Sequence, residues 1–138
     1  MRFWDSSALV PLCLAQPRTA PARVALAEDP EIVVWWGSAI ECASAIGRLH
    51  RDGHLSDDEE TAARHLLGLL RQSWFEIQPG DAVRDQALRL LRLHPLRAAG
   101  ALQLAAALEW AGMPATGVVM TYDERLRTAA RREGFSVP

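Results

Sequence analysis

Short apolar runs alternate along the chain with longer segments whose apolar residues have helical spacing. The apolar runs predict five strands, at residues 2–4, 31–36, 74–77, 116–121 and 135–137. The longer segments predict helices at residues 6–15, 19–28, 39–51, 61–73, 82–93, 97–108 and 125–133. The run at residues 31–36 is apolar on both faces, which is typical of a strand covered by helices on both sides. The pattern therefore predicts an α/β fold with a parallel sheet between helices.

The composition sets the size of the protein and excludes several chemistries. The 138 residues, 49% hydrophobic and 23% charged, are ordinary for one globular domain that spans residues 1–138. All fifteen basic residues are arginine, and the absence of lysine excludes a P-loop lysine and Schiff-base chemistry. The net charge of −2 provides no uniform basic field for nucleic acid, although a local arginine cluster beside an acidic pocket stays open.

Two cysteines and the uncharged segments indicate the cellular compartment. Cys13 and Cys42 lie in apolar helical segments without CxxC spacing, so we expect buried, reduced thiols that suit a reducing cytosol. Asp5 interrupts any apolar signal-peptide region. The longest uncharged run, residues 110–122, is too short to cross a bilayer. These features predict a soluble, cytoplasmic protein with no membrane partner.

Three acidic residues lie where a predicted strand gives way to a helix. Asp5 ends the first strand, Glu41 lies in the first turn of the helix after the second strand, and Asp123 follows the fourth strand. In a parallel sheet with right-handed crossovers, all such junctions lie at the same edge. The three carboxylates are therefore expected to meet there, although they come from distant parts of the chain.

Helix capping is the competing explanation for these acids. Ser38 and Glu41 fit the S-x-x-E capping box, and Asp5 could cap the first helix beside Ser6 or Ser7. The denser acidic run at residues 56–60 fits another capping box and follows no strand, so we interpret it as a solvated helix start. For Glu41, the ligand and cap interpretations stay about level on the residues alone.

A cluster of carboxylates without a basic partner has a definite chemical meaning. Such a cluster is costly unless protons or a cation compensate its charge. Hard oxygen ligands suit Mg²⁺ or Mn²⁺, which keep several waters and bridge substrate phosphates. The cluster predicts phosphodiester hydrolysis, because one or two such ions can generate hydroxide and stabilise the leaving oxygen.

Four segments of the chain resemble PIN-domain endoribonucleases, most closely the toxins of VapBC-type toxin–antitoxin pairs. They are residues 4–10 (WDSSALV), 38–41 (SAIE), 96–105 (LRAAGALQLA) and 121–126 (TYDERL). The resemblance covers essentially the whole chain. It implies an α/β/α sandwich with a parallel sheet of four to five strands, and a ribonuclease that depends on Mg²⁺ or Mn²⁺. It also implies a homodimer, inhibition by a small antitoxin, and metal-binding roles for Asp5, Glu41 and Asp123.

Gly100 departs from the family, which carries an aspartate at this position. Glycine inside a helix costs about 1 kcal/mol relative to alanine, and nothing local requires it here. The departure implies that the catalytic site of this chain lacks one acid and that its activity is weakened or lost. Arg97 and Arg125, close in sequence to Gly100 and Asp123, are candidates for substrate binding.

The remaining candidates concern substrate and partner surfaces. Ser6 follows the first acid directly and is a third candidate for substrate binding. Trp74 and Trp110 are candidates for a surface that contacts a partner, although burial is the usual fate of tryptophan.

Two functions follow from this sequence. The first is a toxin-type endoribonuclease with a weakened site, which the three retained acids favour. The second is a non-catalytic PIN-like module that binds an antitoxin or RNA, which Gly100 favours. An α/β domain whose acids only cap helices does not explain the four segments together.

Overall fold

The computed structural model describes residues 1–138 and contains one parallel sheet with helices on both sides. The strands are β1 (Arg2–Trp4), β2 (Ile32–Trp35), β3 (Phe75–Ile77) and β4 (Val119–Met120). The helices are α1 (Ser6–Cys13), α2 (Thr19–Glu28), α3 (Ser38–Arg51), α4 (Asp57–Arg71), α5 (Asp81–Leu93), α6 (Ala98–Ala111) and α7 (Glu124–Arg132). The predicted α/β/α sandwich with a parallel sheet is confirmed.

The order of strands across the sheet is β3-β2-β1-β4, and every pair is parallel. Residues 135–137, predicted as a fifth strand, form only a single bridge between Ser136 and Val118, so the sheet has four strands. Because all strands run in the same direction, their carboxyl ends lie at one edge of the sheet. The two central strands, β1 and β2, deliver α1 and α3 to that edge.

Alternate residues of the strands pack against different helical layers. Phe3 and Val33 are buried on the side of α5, α6 and α7. Their neighbours Trp4 and Val34 are buried on the side of α1, α2, α3 and α4. This alternation across a pleated sheet produces two separate hydrophobic cores and explains why the strands are apolar on both faces.

The starts of α1, α4 and α7 are set by side-chain caps, and the cap of α4 is the predicted capping box. Ser56 and Glu59 form a complete capping box, so α4 begins at Asp57, earlier than the predicted residue 61. The first helix is capped by Asp5, and neither Ser6 nor Ser7 is the capping residue. The predicted box between Ser38 and Glu41 is wrong, because Gly37 is the residue before α3 and makes no side-chain cap.

Several buried residues bear on the remaining predictions. Cys13 and Cys42 are free and buried, as expected, and burial raises the pKa of the Cys13 thiol to about 11. Trp74 is buried in the core, so its proposed place on an exposed partner surface is wrong. Trp110 is half-buried and packs against Phe3. No helix combines the length and apolar character that crossing a membrane requires.

Candidate functional site

Asp5 lies at the carboxyl end of the central strand β1 and is only 5% exposed. Its Oδ2 atom accepts hydrogen bonds from the Ser7 backbone N–H at 3.1 Å and from the Thr121 hydroxyl at 3.0 Å. The Ser7 hydroxyl also donates to this oxygen. Asp5 therefore caps α1 and presents a fixed carboxylate at the sheet edge, so the two interpretations of this residue are compatible.

Glu41 is joined to Asp5 by the hydroxyl of Ser6. The Ser6 Oγ atom lies 2.8 Å from Glu41 Oε2 and 3.4 Å from Asp5 Oδ1. The other carboxylate oxygen of Glu41 accepts a hydrogen bond from the Gln103 side chain at 3.2 Å. Because Glu41 makes no capping box, its carboxylate is directed away from its own helix terminus and toward the end of β1. Ser6, a predicted substrate-binding residue, lies between the two acids.

Asp123 reaches the same edge from β4 but uses its carboxylate differently. Its Oδ1 atom accepts hydrogen bonds from the backbone N–H groups of Arg125 and Leu126 at 2.8 and 2.9 Å, and so caps α7. Its own backbone N–H donates to the Thr121 hydroxyl at 3.1 Å. Since that hydroxyl also donates to Asp5, Thr121 links the two aspartates.

Burial and mutual repulsion dominate the electrostatics of the site. Burial raises the pKa of Asp5, with an additional upward contribution from the Asp123 charge, while hydrogen bonds from Ser7 and Thr121 oppose the rise. Burial also raises the pKa of Glu41, and the charge of Asp5 adds to that effect. None of the three acids forms an ion pair with a basic side chain. No basic side chain therefore neutralises these acids, so protons or a bound cation must compensate their charge.

The donor set fits a hard divalent cation in part. Asp5 and Glu41 are adjacent oxygen donors without a cationic partner, which is the environment that Mg²⁺ and Mn²⁺ favour. The side chains are not arranged as a ready group of three or more metal ligands, and the Asp123 carboxylate also caps α7. The residues thus provide a two-acid core with a third acid beside it, and the three metal-binding roles stay predictions.

Gly100 lies in a cleft of about 480 Å³ beside Asp123, which we term the Gly100 cleft. Arg97 and Arg125 line the same cleft, and neither side chain forms an ion pair. A Cβ atom added at Gly100 meets only the Leu96 side chain, at an ordinary distance of 3.6 Å. Close packing is therefore not the reason for a glycine at this position, because a Cβ atom would fit there without a clash.

A second cleft of about 560 Å³, the Arg48 cleft, borders the site on the side of Glu41. It is lined by Ser6 and Glu41 and by the exposed residues Ser44 and Arg48 of α3, among others. The Arg48 cleft holds one arginine beside Glu41, and the Gly100 cleft holds two beside Asp123, so basic side chains border the acids. The sequence analysis did not identify Arg48, although its position two turns after Glu41 on α3 was a usable signal.

Three polar residues that organise the site were also missed: Ser7, Gln103 and Thr121. Thr121 was assigned only to the end of a strand, and Ser7 only to a possible cap. Gln103 is the one polar residue in the first ten positions of α6, and this isolation within an alanine-rich helix is a signal for a specific buried contact.

Comparison with known proteins identifies relatives in structure but none in sequence. No protein-family model matches the chain, and no curated protein matches it. Among solved structures, PAE2754 from Pyrobaculum aerophilum has a TM-score of 0.71 at 20% identity, over 99% of this chain and 81% of that one. FitAcB from Neisseria gonorrhoeae has a TM-score of 0.68 at 14% identity, over 99% of this chain and 96% of that one.

A third structure, FitAB bound to an IR36 DNA fragment, has a TM-score of 0.69 at 12% identity and covers 100% of this chain and 94% of that chain. At these identities the similarity establishes the fold and leaves the activity to be argued from the site. The chain therefore shares its whole architecture with PAE2754 and the Fit proteins.

Proposed function

We propose that this protein is a toxin-type endoribonuclease that depends on Mg²⁺ or Mn²⁺ and whose site is weakened by Gly100. The observation that carries the proposal is the unit formed by Asp5, Ser6 and Glu41. It holds two adjacent carboxylates, one of them buried, with no basic side chain to neutralise them. Such an arrangement is costly for a folded protein unless a proton or a cation compensates its charge, and we propose that a cation does so.

In the proposed RNA hydrolysis, each residue of the site has a separate role. Asp5 and Glu41 would hold the cation, and Asp123 would contribute through Oδ2, the oxygen that does not cap α7. When bound, the ion supplies an activated water and stabilises the leaving oxygen. Arg97 and Arg125 would bind backbone phosphates of the RNA in the Gly100 cleft. Ser6 would hold the two carboxylates close together and contact the substrate.

Gly100 explains why this site is expected to be weak. A carboxylate at this position would project from the first turn of α6 into the cleft that Asp123 lines. Without it the site lacks one oxygen donor and retains two unpaired arginines. We therefore expect weaker cation binding and a lower rate, with binding of RNA largely kept.

The partners follow from the same family resemblance. We propose that a small antitoxin covers the acidic edge and that two copies of the chain form a homodimer. One structural relative, FitAB, is described as bound to a DNA fragment, and the toxin–antitoxin assignment of this chain draws on that similarity. Sedimentation at micromolar concentration tests the dimer, and a monomer there would contradict it.

A second function, a non-catalytic PIN-like module that binds an antitoxin or RNA, is favoured by two specific observations. Gly100 removes an acid, and the remaining carboxylates are not assembled as a three-ligand group. In this function the arginines of the two clefts would bind RNA or an acidic peptide without cleavage.

The two functions differ in one assay. RNA substrates covering many sequences are incubated with the protein in Mg²⁺, in Mn²⁺ and in chelator, beside the Asp5→Asn variant. The first function predicts slow cleavage in both metals, none in chelator and none with Asp5→Asn. Equal cleavage by the variant would indicate a contaminating nuclease. RNA binding without any cleavage would contradict the first function and support the second.

A further inference from the structure

Gln103 is a buried polar residue that the proposed reaction does not yet use. It lies on α6 one turn after Gly100 and is only 1% exposed, and Ser38 beside it is fully buried. Burying an amide and a hydroxyl is costly unless both are hydrogen-bonded. The role of Gln103 can therefore be inferred from the hydrogen bonds that it and Ser38 make.

The amide of Gln103 is held between a hydroxyl and a carboxylate. Its Nε2 atom donates to Ser38 Oγ at 3.1 Å and to Glu41 Oε1 at 3.2 Å, while its Oε1 atom accepts from Ser38 at 3.4 Å. The orientation of the amide is fixed chemically, because an ionised carboxylate can only accept a hydrogen bond. Both N–H groups of the amide are thus engaged, and one of them is committed to Glu41.

These contacts fix Glu41 from both sides. The Ser6 hydroxyl donates to one carboxylate oxygen at 2.8 Å, and the Gln103 amide donates to the other. A glutamate has three rotatable side-chain bonds, so a carboxylate held at one oxygen alone can still turn. The second hydrogen bond comes from a rigid, buried helix 62 residues away in sequence.

We propose that Gln103 is a positioning residue that holds the Glu41 carboxylate in the orientation required to bind the divalent cation. This proposal rests on the proposed function, because it assigns Glu41 as a ligand. It also gives α6 a contribution to the site that survives the absence of an acid at Gly100. Through Gln103, α6 acts on the cation by way of Glu41, and the Gln103 side chain itself touches neither cation nor substrate.

A purely structural role makes a different prediction. If Gln103 served only to tie α6 to Ser38 of α3, its replacement would lower stability and leave the properties of Glu41 unchanged. The Ala106→Gly variant provides the matched control. Ala106 is fully buried on the same helix, and glycine there costs about 1 kcal/mol of helix stability without touching a site carboxylate.

The test is a double-mutant cycle read out by Mn²⁺ binding, followed through the electron paramagnetic resonance signal of the free ion. The proteins are wild type, Gln103→Met, Glu41→Gln, the double variant and Ala106→Gly, each with its unfolding curve in urea. Methionine keeps the length of the side chain and removes the donor. Gln103→Asn is a second variant, which keeps the amide but shortens its reach to Glu41.

We expect Gln103→Met and Gln103→Asn to weaken Mn²⁺ binding about 10- to 100-fold, as losses of groups that orient a metal ligand do. In the Glu41→Gln background the same replacement should change the affinity by no more than about twofold. Ala106→Gly should unfold at lower urea and bind Mn²⁺ like the wild type.

Three outcomes contradict the proposal and separate its failure from that of the proposed function. Equal Mn²⁺ affinity in wild type and both Gln103 variants would overturn the positioning role alone. An undiminished effect of Gln103→Met in the Glu41→Gln background would show that Gln103 does not act through Glu41. Absence of Mn²⁺ binding by the wild type would contradict the proposed function and this role with it.

Discussion

Asp5 shows that one carboxylate can cap a helix and also lie beside a second acid. It caps α1 through the Ser7 N–H, and its burial at the end of β1 keeps it near Glu41 and Asp123. The cap fixes the side chain in a single orientation, which a ligand also needs. At the level of single residues, capping and ligation are therefore complementary uses of the same geometry.

The raised pKa of Asp5 predicts a definite pH dependence of stability. A carboxyl group whose pKa is higher in the folded state favours folding while it is protonated. This contribution is complete below the ordinary value of 3.8 and is lost as the pH rises through the raised folded value. In chelator, the free energy of unfolding of the wild type should therefore fall as the pH rises across this window. That of Asp5→Asn should fall less.

Urea unfolding at several pH values measures this difference, with Asp58→Asn on the exposed start of α4 as the control. The control should follow the wild-type curve. The account of Asp5 would be contradicted if the free energy of unfolding rose with pH across this window, and rose more for the wild type than for Asp5→Asn.

Gly100 provides a prediction of gained activity. The Gly100→Asp variant should cleave RNA at least roughly tenfold faster than the wild type in Mn²⁺, because it adds an oxygen donor in open space beside Asp123. Stability should rise by about 0.5 kcal/mol, since aspartate is favourable in the first turn of a helix and glycine is not.

The matched control for this variant is Gly100→Asn, which has the same size and no negative charge. It should leave the cleavage rate close to that of the wild type. Equal rates for Gly100→Asp and the wild type, with Mn²⁺ bound in both, would show that the missing acid does not limit the reaction.

At the level of helices and strands, the apolar pattern was sufficient to predict the sheet. β2 was found because burial on both faces requires apolar residues at every position, and β1 because Phe3 and Trp4 directly precede the acid that opens the next helix. β4 was predicted too long, since Gly117 has a φ of +138° and lies against Trp110, so the ladder begins only at Val119. Residues 135–137 run beside β4 but pair at one position only.

The site could be predicted from sequence only where it depends on the ends of elements. Asp5 and Asp123 were identified because a strand end is visible in the pattern. The orientation of Glu41 was not, because it depends on whether Ser38 caps its own helix or is buried against Gln103, 65 residues away. Thr121 was missed for the same reason, since its partner Asp5 is 116 residues away.

A prediction at this scale concerns the contact between the ends of α5 and α7. Burial raises the pKa of Glu133, but hydrogen bonds and charges from Arg89 and His94 outweigh burial and lower it. His94 Nε2 lies 2.7 Å from Glu133 Oε1, just before the connection to α6. Stability from a lowered pKa is present above the ordinary value of 4.5 and is lost as the pH falls through the folded value.

Glu133→Gln should therefore lower the free energy of unfolding by roughly 1 kcal/mol at neutral pH. The difference from the wild type should shrink as the pH falls below 4.5. Chemical unfolding across that range measures it, with Glu109→Gln on the exposed surface of α6 as the control. A difference that grows toward acid would contradict the assignment.

For the molecule as a whole, the arrangement of charge matters more than its sum. The net charge is −2, yet the Gly100 cleft and the Arg48 cleft place arginines beside the acids of the site, of which Asp5 alone is buried. A nucleic-acid backbone could contact both clefts while a phosphodiester bond lies over the acids. The sequence identified Arg97 and Arg125 but not Arg48, whose place in a cleft with Glu41 is seen in the fold.

Arg97→Ala and Arg125→Ala should each weaken RNA binding and reduce its dependence on salt. For single-stranded RNA, each lost phosphate contact lowers the slope of log affinity against log salt concentration by about 0.7. Fluorescence anisotropy at several salt concentrations measures the slope, with the exposed Arg71→Ala at the end of α4 as the control. An unchanged slope in both cleft variants would remove these arginines from the RNA-binding surface.

The central claim is that acids from three distant segments share one divalent cation at the sheet edge. Anomalous scattering from crystals grown or soaked in Mn²⁺ tests it directly, for the wild type and for Gly100→Asp. The account predicts one anomalous peak about 2.1 Å from oxygens of Asp5 and Glu41, with Asp123 as the third contributor directly or through a water. An anomalous peak only at other positions, or none at this edge in either protein at saturating Mn²⁺, would contradict it.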